Sequence, residues 1–160
     1  MDIGLYLVVI MLALSPIVEV RGAIPVGIAG GLDPLLVFVL AFIAASIPAP
    51  ILIYGLSYIE KEFLPKIFTK MPLLERIYKA SIEKARRKAE KIRGSKYVYL
   101  ALACFVAIPS PGTGVWTGSL VAYVLDLSKT KSTIAVIIGN LMASIIVLIA
   151  TLGVKTILSS

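Results

Sequence analysis

The stretch Ile108-Pro109-Ser110-Pro111-Gly112-Thr113-Gly114 lies in the middle of an apolar block that runs from residue 97 to residue 125. The block is long enough to cross a bilayer, which takes ~20 apolar residues in a helix. Two prolines and two glycines at its centre break such a helix, because proline removes a donor and clashes with the preceding turn and glycine costs backbone entropy. Non-helical backbone at membrane depth survives only where it is buried in protein or lines a wet cavity. The economical reading is a re-entrant hairpin, in which the chain enters the membrane, turns at the break and leaves on the side it entered.

The same pattern stands at the other end of the chain. Residues 3–18 are apolar and reach Glu19 and Arg21 after 16 residues. The next apolar piece, Ala23 to Leu32, is ten residues long, holds Pro25, Gly27, Gly30 and Gly31, and is too short to cross. Residues 3–32 are therefore expected to form a second re-entrant hairpin. Each hairpin precedes an apolar block of spanning length. In the first, at 34–59, Leu35 to Tyr58 covers 24 residues; the other is 132–157.

Between the halves lies a charged stretch, 60–96, with twelve basic and five acidic residues, so that the whole net charge of +7 resides there. The positive-inside rule puts this loop in the cytoplasm. Its part 73–93 reads as a helix with Ile77, Ile82, Ala85, Ala89 and Ile92 at helical spacing, i,i+4 pairs such as Glu83–Arg87 and Arg86–Glu90, and Gly94 as a stop. No aromatic interleaving or nucleic-acid motif accompanies the basic run, so a solvated helix near anionic headgroups is the simpler account and no nucleic-acid partner is expected.

The expected fold is thus an all-α integral membrane protein. It is an inverted repeat of two units, 1–59 and 97–160, each a re-entrant helical hairpin followed by a transmembrane helix, joined by the basic cytoplasmic helical loop 60–96. With that loop inside, the first hairpin opens outward, the second opens inward, and both termini lie outside. Interrupted apolar segments at matching places in inverted halves point to a transport site.

Composition agrees with the membrane. The chain has 160 residues, 59% of them apolar, and its mean hydropathy is +0.98. A soluble domain is ~45–50% apolar, and a chain this short cannot bury so much apolar surface in an aqueous core. Met1-Asp2-Ile3 has no basic start and no Ala-x-Ala site follows, so no cleaved signal peptide is expected. Cys104 is alone, which rules out an intramolecular disulfide. There is no His, and Asn140 is the one Asn; scarce thermolabile residues with abundant Lys, Glu and Ile resemble a thermophile's usage. Soluble-enzyme signatures are missing: there is no P-loop and no His/Cys cluster for zinc, and neither enzyme activity nor a cofactor or metal is expected.

Two clusters could carry chemistry. The first is Ser15-Pro16-Ile17-Val18-Glu19-Val20-Arg21-Gly22-Ala23-Ile24-Pro25. An ionisable residue inside a membrane costs ~2.5–3.5 kcal/mol on insertion scales and persists with a partner or a purpose. Glu19 and Arg21 either pin the turn as a charge pair, or sit in headgroups after a short span, or bind substrate and ion. Arg21 offers a fork of donors for phosphate or carboxylate, and Glu19 can exchange a proton or ligate a cation. The second cluster is Pro109-Ser110-Pro111-Gly112-Thr113-Gly114-Val115-Trp116-Thr117-Gly118, with no charge. Its glycines allow close approach of backbone, a half-helix N-terminus can hold an anion, and Ser110, Thr113 and Thr117 add hydroxyls. The plainer reading is helix packing through Gly114-x-x-x-Gly118. The candidate site is therefore Glu19, Arg21, Gly22, Pro25, Pro109, Ser110, Pro111, Gly112, Thr113, Gly114, Trp116 and Thr117. Asp33, Asp126, Lys129, Lys131 and Lys155 read as membrane-edge residues, and Asn140 as glue between helices.

Together, Glu19-x-Arg21-Gly22-Ala23-Ile24-Pro25 and Pro109-x-Pro111-Gly112-Thr113-Gly114-x-Trp116-Thr117-Gly118 resemble the small multidrug export protein family, regarded as a distant branch of the DedA superfamily. The resemblance covers nearly the whole chain. It implies two re-entrant hairpins whose tips meet at a central site, and a transporter or flippase for an anionic lipid-like substrate, a polyisoprenyl phosphate or a phospholipid, with coupling to H+ or Na+. Membrane lipids and a second copy of the chain are the partners implied. DedA proteins proper carry arginines in or beside the second hairpin, whereas residues 97–125 here have no charge, so Arg21 would act with backbone N–H groups or a second subunit. Small-molecule export ranks second on sequence, because Trp116 is the one Trp and Glu19 the one central acid; a non-transporting scaffold ranks third.

Overall fold

A computed structural model describes residues 3–62, 80, 82–87, 90, 95–110 and 112–158. Seven helices of ten residues or more order these residues, and no strand occurs among them: α1 Ile3–Leu14, α2 Glu19–Ala29, α3 Pro34–Ser46, α4 Pro48–Glu62, α5 Lys96–Ala107, α6 Val115–Val124 and α7 Lys129–Leu158. Of the expected helix 73–93, residues 80, 82–87 and 90 are helical; Gly94 and the expected pair Glu75–Lys79 lie outside the described residues.

Two helical stretches have the length and hydropathy to cross a bilayer, Pro34–Glu60 and Lys129–Ile157. The first differs from the uninterrupted helix expected at 34–59. It breaks between α3 and α4 at Ile47, whose N–H turns back to the Ala44 carbonyl at 3.2 Å. Pro48 and Pro50 are the cause, since neither can donate to the turn before it. Polar α7 chemistry meets this break. Asn140 Nδ2 donates to the Phe42 carbonyl at 3.3 Å and to Ser46 Oγ at 3.0 Å, so Asn140 does join two helices.

α2 and α6 end alike. Gly31 N–H reaches the Ile28 carbonyl and Leu32 N–H the Gly27 carbonyl, each at 3.1 Å; Asp126 N–H reaches Tyr123 at 2.9 Å and Leu127 N–H reaches Ala122 at 3.0 Å. These are the paired bonds of a Schellman stop, and the left-handed residue it needs is Gly31 at φ 83° in one and Asp126 at φ 50° in the other. The interval from Gly27 to Ala122 is also that from Gly31 to Asp126 and from Leu32 to Leu127.

The buried residues form two clusters that exchange parts. The first joins α1, α2 and α3 through Val9, Val20, Ile24, Ile28 and Val37, and is completed by Ala143 and Val147 from the far half of α7. The second joins α5, α6 and the near half of α7 through Leu102, Val106, Val115 and Val136, and is completed by Ala49 and Ile53 of α4. Gly27 lets α2 settle between Val9 and Val37, where a Cβ would come within 2.9 Å of both. Much of the remaining apolar surface faces outward: Met11, Leu35, Ile51, Leu100, Ile134 and Ile149 are all more than half exposed. An aqueous domain hides such residues, whereas lipid solvates them.

Candidate functional site

Glu19 opens α2 and does so at φ 50°, a left-handed conformation that a non-glycine residue adopts rarely and at a cost of ~1–3 kcal/mol. Its side chain is nearly fully buried. The carboxylate crosses to the second half of the chain, where Oε1 accepts from the Trp116 backbone N–H at 3.3 Å. Trp116 lies in the first turn of α6, and Gly114, the N-cap of that helix, has no side chain with which to cap it. Glu19 thus supplies from α2 the anion that the first N–H groups of α6 call for.

Gly114 is required by this arrangement: a Cβ there would overlap the Glu19 carboxylate. Gly118, the other end of the suspected packing pair, serves a different contact, since a Cβ on it would press to 2.5 Å from Val106 of α5. The Gly-x-x-x-Gly spacing therefore joins two separate functions rather than one helix seam.

Arg21 reaches the same place from the same first turn of α2. Its Nη2 donates to the Ile108 carbonyl and to Thr113 Oγ1, both at 3.1 Å. Thr113 Oγ1 in turn lies 2.7 Å from the Ile108 carbonyl and 2.8 Å from the Ser110 carbonyl, folding the loop between α5 and α6 around one hydroxyl. The contact between Arg21 Nη1 and Glu19 Oε2 is longer, at 3.7 Å. Arg21 is held by the facing loop and Glu19 by the start of α6 at shorter distances than the two charges have to each other. Arg21 Nε and Trp116 Nε1 are buried donors with no acceptor among the described residues.

The other candidates divide. Gly112 sits at φ 85° with open space where a Cβ would go, so it serves the turn of the loop. Ser110 contributes its backbone; Thr117 lies half-buried on α6 beside the junction. Gly22 packs against Val18, since a Cβ on it would overlap the Val18 side chain. Pro25 is inside α2, and it leaves the Arg21 carbonyl without its usual donor four residues on. Pro111 lies outside the described residues. Asp33 caps α3 through a 2.9 Å bond from the Leu36 N–H, a role beyond marking a membrane edge.

Beside the junction, an open groove of about 710 Å³ runs between α2 and the end of α7. Pro25, Ile28, Pro109, Val147 and Thr151 line it, with Lys155 at its α7 end. Sequence reading missed this groove, because α7 shows no periodic signal that separates groove residues from lipid-facing ones.

On the side where the charged stretch leaves α4, Arg86 forms a two-pronged pair with Glu60, at 2.9 and 2.8 Å, and its guanidinium lies 5.8 Å from the Tyr123 ring centroid. The hydrogen bonds to Glu60 push the Arg86 pKa above its ordinary value. Arg86 was expected to pair with Glu90 along its own helix; it ties the ends of α4 and α6 instead. Among the described residues no cluster of His, Cys, Asp or Glu could hold a metal ion.

Neither a curated protein nor a solved structure gives a significant match to the chain. A family model described as "Putative small multi-drug export protein" matches residues 19–146, a span that begins at Glu19 and takes in both clusters. Two helices of spanning length and this match make the chain a membrane protein, and it belongs to the small multidrug export protein family.

Proposed function

We propose that the protein is a membrane transporter that exports small amphipathic molecules bearing a carboxylate or phosphate, with the Glu19–Arg21–Thr113–Gly114 junction as its binding site. The observation that carries this reading is the seat of the Glu19 carboxylate on the N-terminus of α6, with Arg21 alongside. That seat is an anion site filled by the chain's own side chain. A substrate anion would take the place of Glu19, and the fork of Arg21 would turn to it from the Ile108 and Thr113 oxygens. Arg21 Nε and Trp116 Nε1 add two donors without acceptors among the described residues, and the adjoining groove suits the apolar part of the molecule.

The proposed architecture is an inverted repeat of two re-entrant hairpins, α1–α2 and α5–α6, each followed by a spanning helix. The matching Schellman stops and the exchanged core residues support it. Glu19 and Gly114 are themselves separated by the interval that relates the two stops, as expected for tips that meet on an axis between the halves. The loop 60–96 is cytoplasmic and both termini are outside in this reading. Displacement of a charged side chain by substrate also gives a route for coupling to H+ or Na+ through Glu19.

The order of the two transport readings is the reverse of that expected from sequence, because the family is described by export. Movement of an anionic lipid remains the second reading. The feature that favours it is the groove beside the junction, which is apolar along its length and has Lys155 at one end. Proteoliposomes loaded with carboxyfluorescein or ethidium, or carrying a fluorescent phosphatidylglycerol in one leaflet, separate the two. Export predicts dye release, carboxyfluorescein before ethidium. The second reading predicts exchange of the lipid between leaflets with both dyes retained. Neither movement above protein-free vesicles, across H+ and Na+ gradients, would overturn both.

A further inference from the structure

We infer that the cleft between the starts of α5 and α7 is a binding site for one anionic phospholipid of the surrounding bilayer. It is separate from the junction of Glu19 and Arg21. The inference rests on the membrane placement of the chain and not on its transporting anything.

The cleft follows from how the two helices meet. They touch backbone to side where Gly139 faces Ala103: a Cβ on Gly139 would overlap the Ala103 carbonyl oxygen and approach Val106 to 2.7 Å. Toward the N-terminal ends of the two helices an open space of about 460 Å³ lies between them. Leu100, Ala103, Ile134 and Ile138 form its walls, so it is apolar over about one turn of each helix, ~6 Å at the usual rise, below the lysines at its mouth. Its mouth holds two cations, Lys96 in the first turn of α5 and Lys131 in the first turn of α7. Tyr99 stands between the walls and the mouth, with the Lys131 ammonium 5.7 Å from its ring centroid and its hydroxyl taking the Ser128 N–H at 3.3 Å.

This is a complement to one kind of molecule. A slot with an apolar floor and two ammonium groups at one end fits an acyl chain whose headgroup carries a phosphate. Both helices also present the positive ends of their dipoles at the mouth. Basic pockets between membrane helices on the cytoplasmic side are where anionic headgroups collect. Lys96 closes the strongly basic stretch 60–96 of the sequence. Neither lysine has an acid partner at the mouth among the lining residues. Lys129, two residues before Lys131, lies 5.5 Å from the Tyr54 ring centroid and outside the cleft, which makes it a control.

Native mass spectrometry of the full chain in detergent, with equal amounts of phosphatidylglycerol and phosphatidylcholine, tests the site. The wild type should favour phosphatidylglycerol by about thirtyfold, the effect expected of two lysines near a surface. Lys96→Gln with Lys131→Gln should bring that preference to within about threefold, while Lys96→Arg with Lys131→Arg should retain it. Lys129→Gln, or Lys84→Gln with Arg87→Gln, should leave it unchanged. Millimolar glycerol 3-phosphate should not displace the lipid, since it lacks the chain that fills the cleft. The inference is overturned if the loop substitutions reduce the preference as much as those at the mouth, which would mean diffuse attraction. It is equally overturned if glycerol 3-phosphate competes, or if the wild type shows no preference.

Discussion

The carboxylate of Glu19 fills the space that any side chain at Gly114 would require, and through it the start of α2 closes the start of α6. The two residues are 95 positions apart in the numbering (114 − 19 = 95) and belong to different halves of the chain. Their contact makes a prediction about stability. Gly114→Ala should destabilise the folded protein in detergent by ~1–3 kcal/mol, the usual cost of forcing extra volume into a packed place. In a Glu19→Ala background the same substitution should cost much less, because the obstructing group is gone. Thermal or denaturant unfolding of the four proteins gives the coupling between the sites. Additive effects would mean that the carboxylate does not sit there.

Asn140 offers a test of the contact between α3 and α7. Asn140→Ala removes both bonds that span the break near Ile47, to the Phe42 carbonyl and to Ser46. Hydrogen bonds between membrane helices average ~0.6 kcal/mol and reach ~1.7 kcal/mol. The expected loss is therefore about 1 kcal/mol, read as a lower unfolding midpoint. Ser46→Ala should cost less, because the Phe42 carbonyl would still accept from Asn140.

Gly31 and Gly153 should respond to alanine in opposite directions. A Cβ meets nothing within 4 Å among the described residues at either position, so the backbone decides. Gly31 is at φ 83° in the stop of α2, and alanine there should cost ~1–2 kcal/mol. Gly153 is inside α7, where alanine should stabilise by ~0.5–1 kcal/mol. A stabilising Gly31→Ala would contradict the left-handed stop.

The proposed topology is checked by labelling single cysteines from each side of a sealed membrane, after Cys104→Ala. Glu83→Cys should react only from the cytoplasm and Ile157→Cys only from outside. Reaction of both from the same side would mean that the second half crosses the membrane an even number of times. The inverted repeat would then be wrong.

What the sequence disclosed was set by how strongly each feature departs from an apolar background. Glu19, Arg21 and the run from Pro109 to Gly114 stand out because charge, Pro and Gly are costly in lipid, and the structure brings Glu19, Arg21, Thr113 and Gly114 of these to one junction. The two spanning stretches were legible from length alone. Pro48 and Pro50 were in plain view, yet the helix break between α3 and α4 was not foreseen, since hydropathy is blind to a missing N–H. The seat of Glu19 on α6 could not be read either. It depends on which N–H groups lie opposite a residue far away in the chain, and no local pattern encodes that. The clefts beside α7 were hidden for the same reason: their residues are as apolar as their lipid-facing neighbours. Arg86 found Glu60 across space rather than Glu90 along its helix, a choice that i,i+4 counting cannot make.

The central claim, that transport runs through the junction of Arg21 with the second half of the chain, is tested most directly by Arg21→Lys. Lysine keeps the positive charge but not the planar fork that now reaches the Ile108 carbonyl and Thr113 Oγ1 together. The measurement is carboxyfluorescein release from proteoliposomes, beside the unfolding midpoint of the same preparation. The account predicts a midpoint close to wild type and flux reduced by about tenfold or more, the loss of one good charge-assisted bond. It also predicts that Glu19→Gln with Arg21→Ala is no better than the worse single substitution. Wild-type flux from Arg21→Lys, or from that double variant, would contradict it.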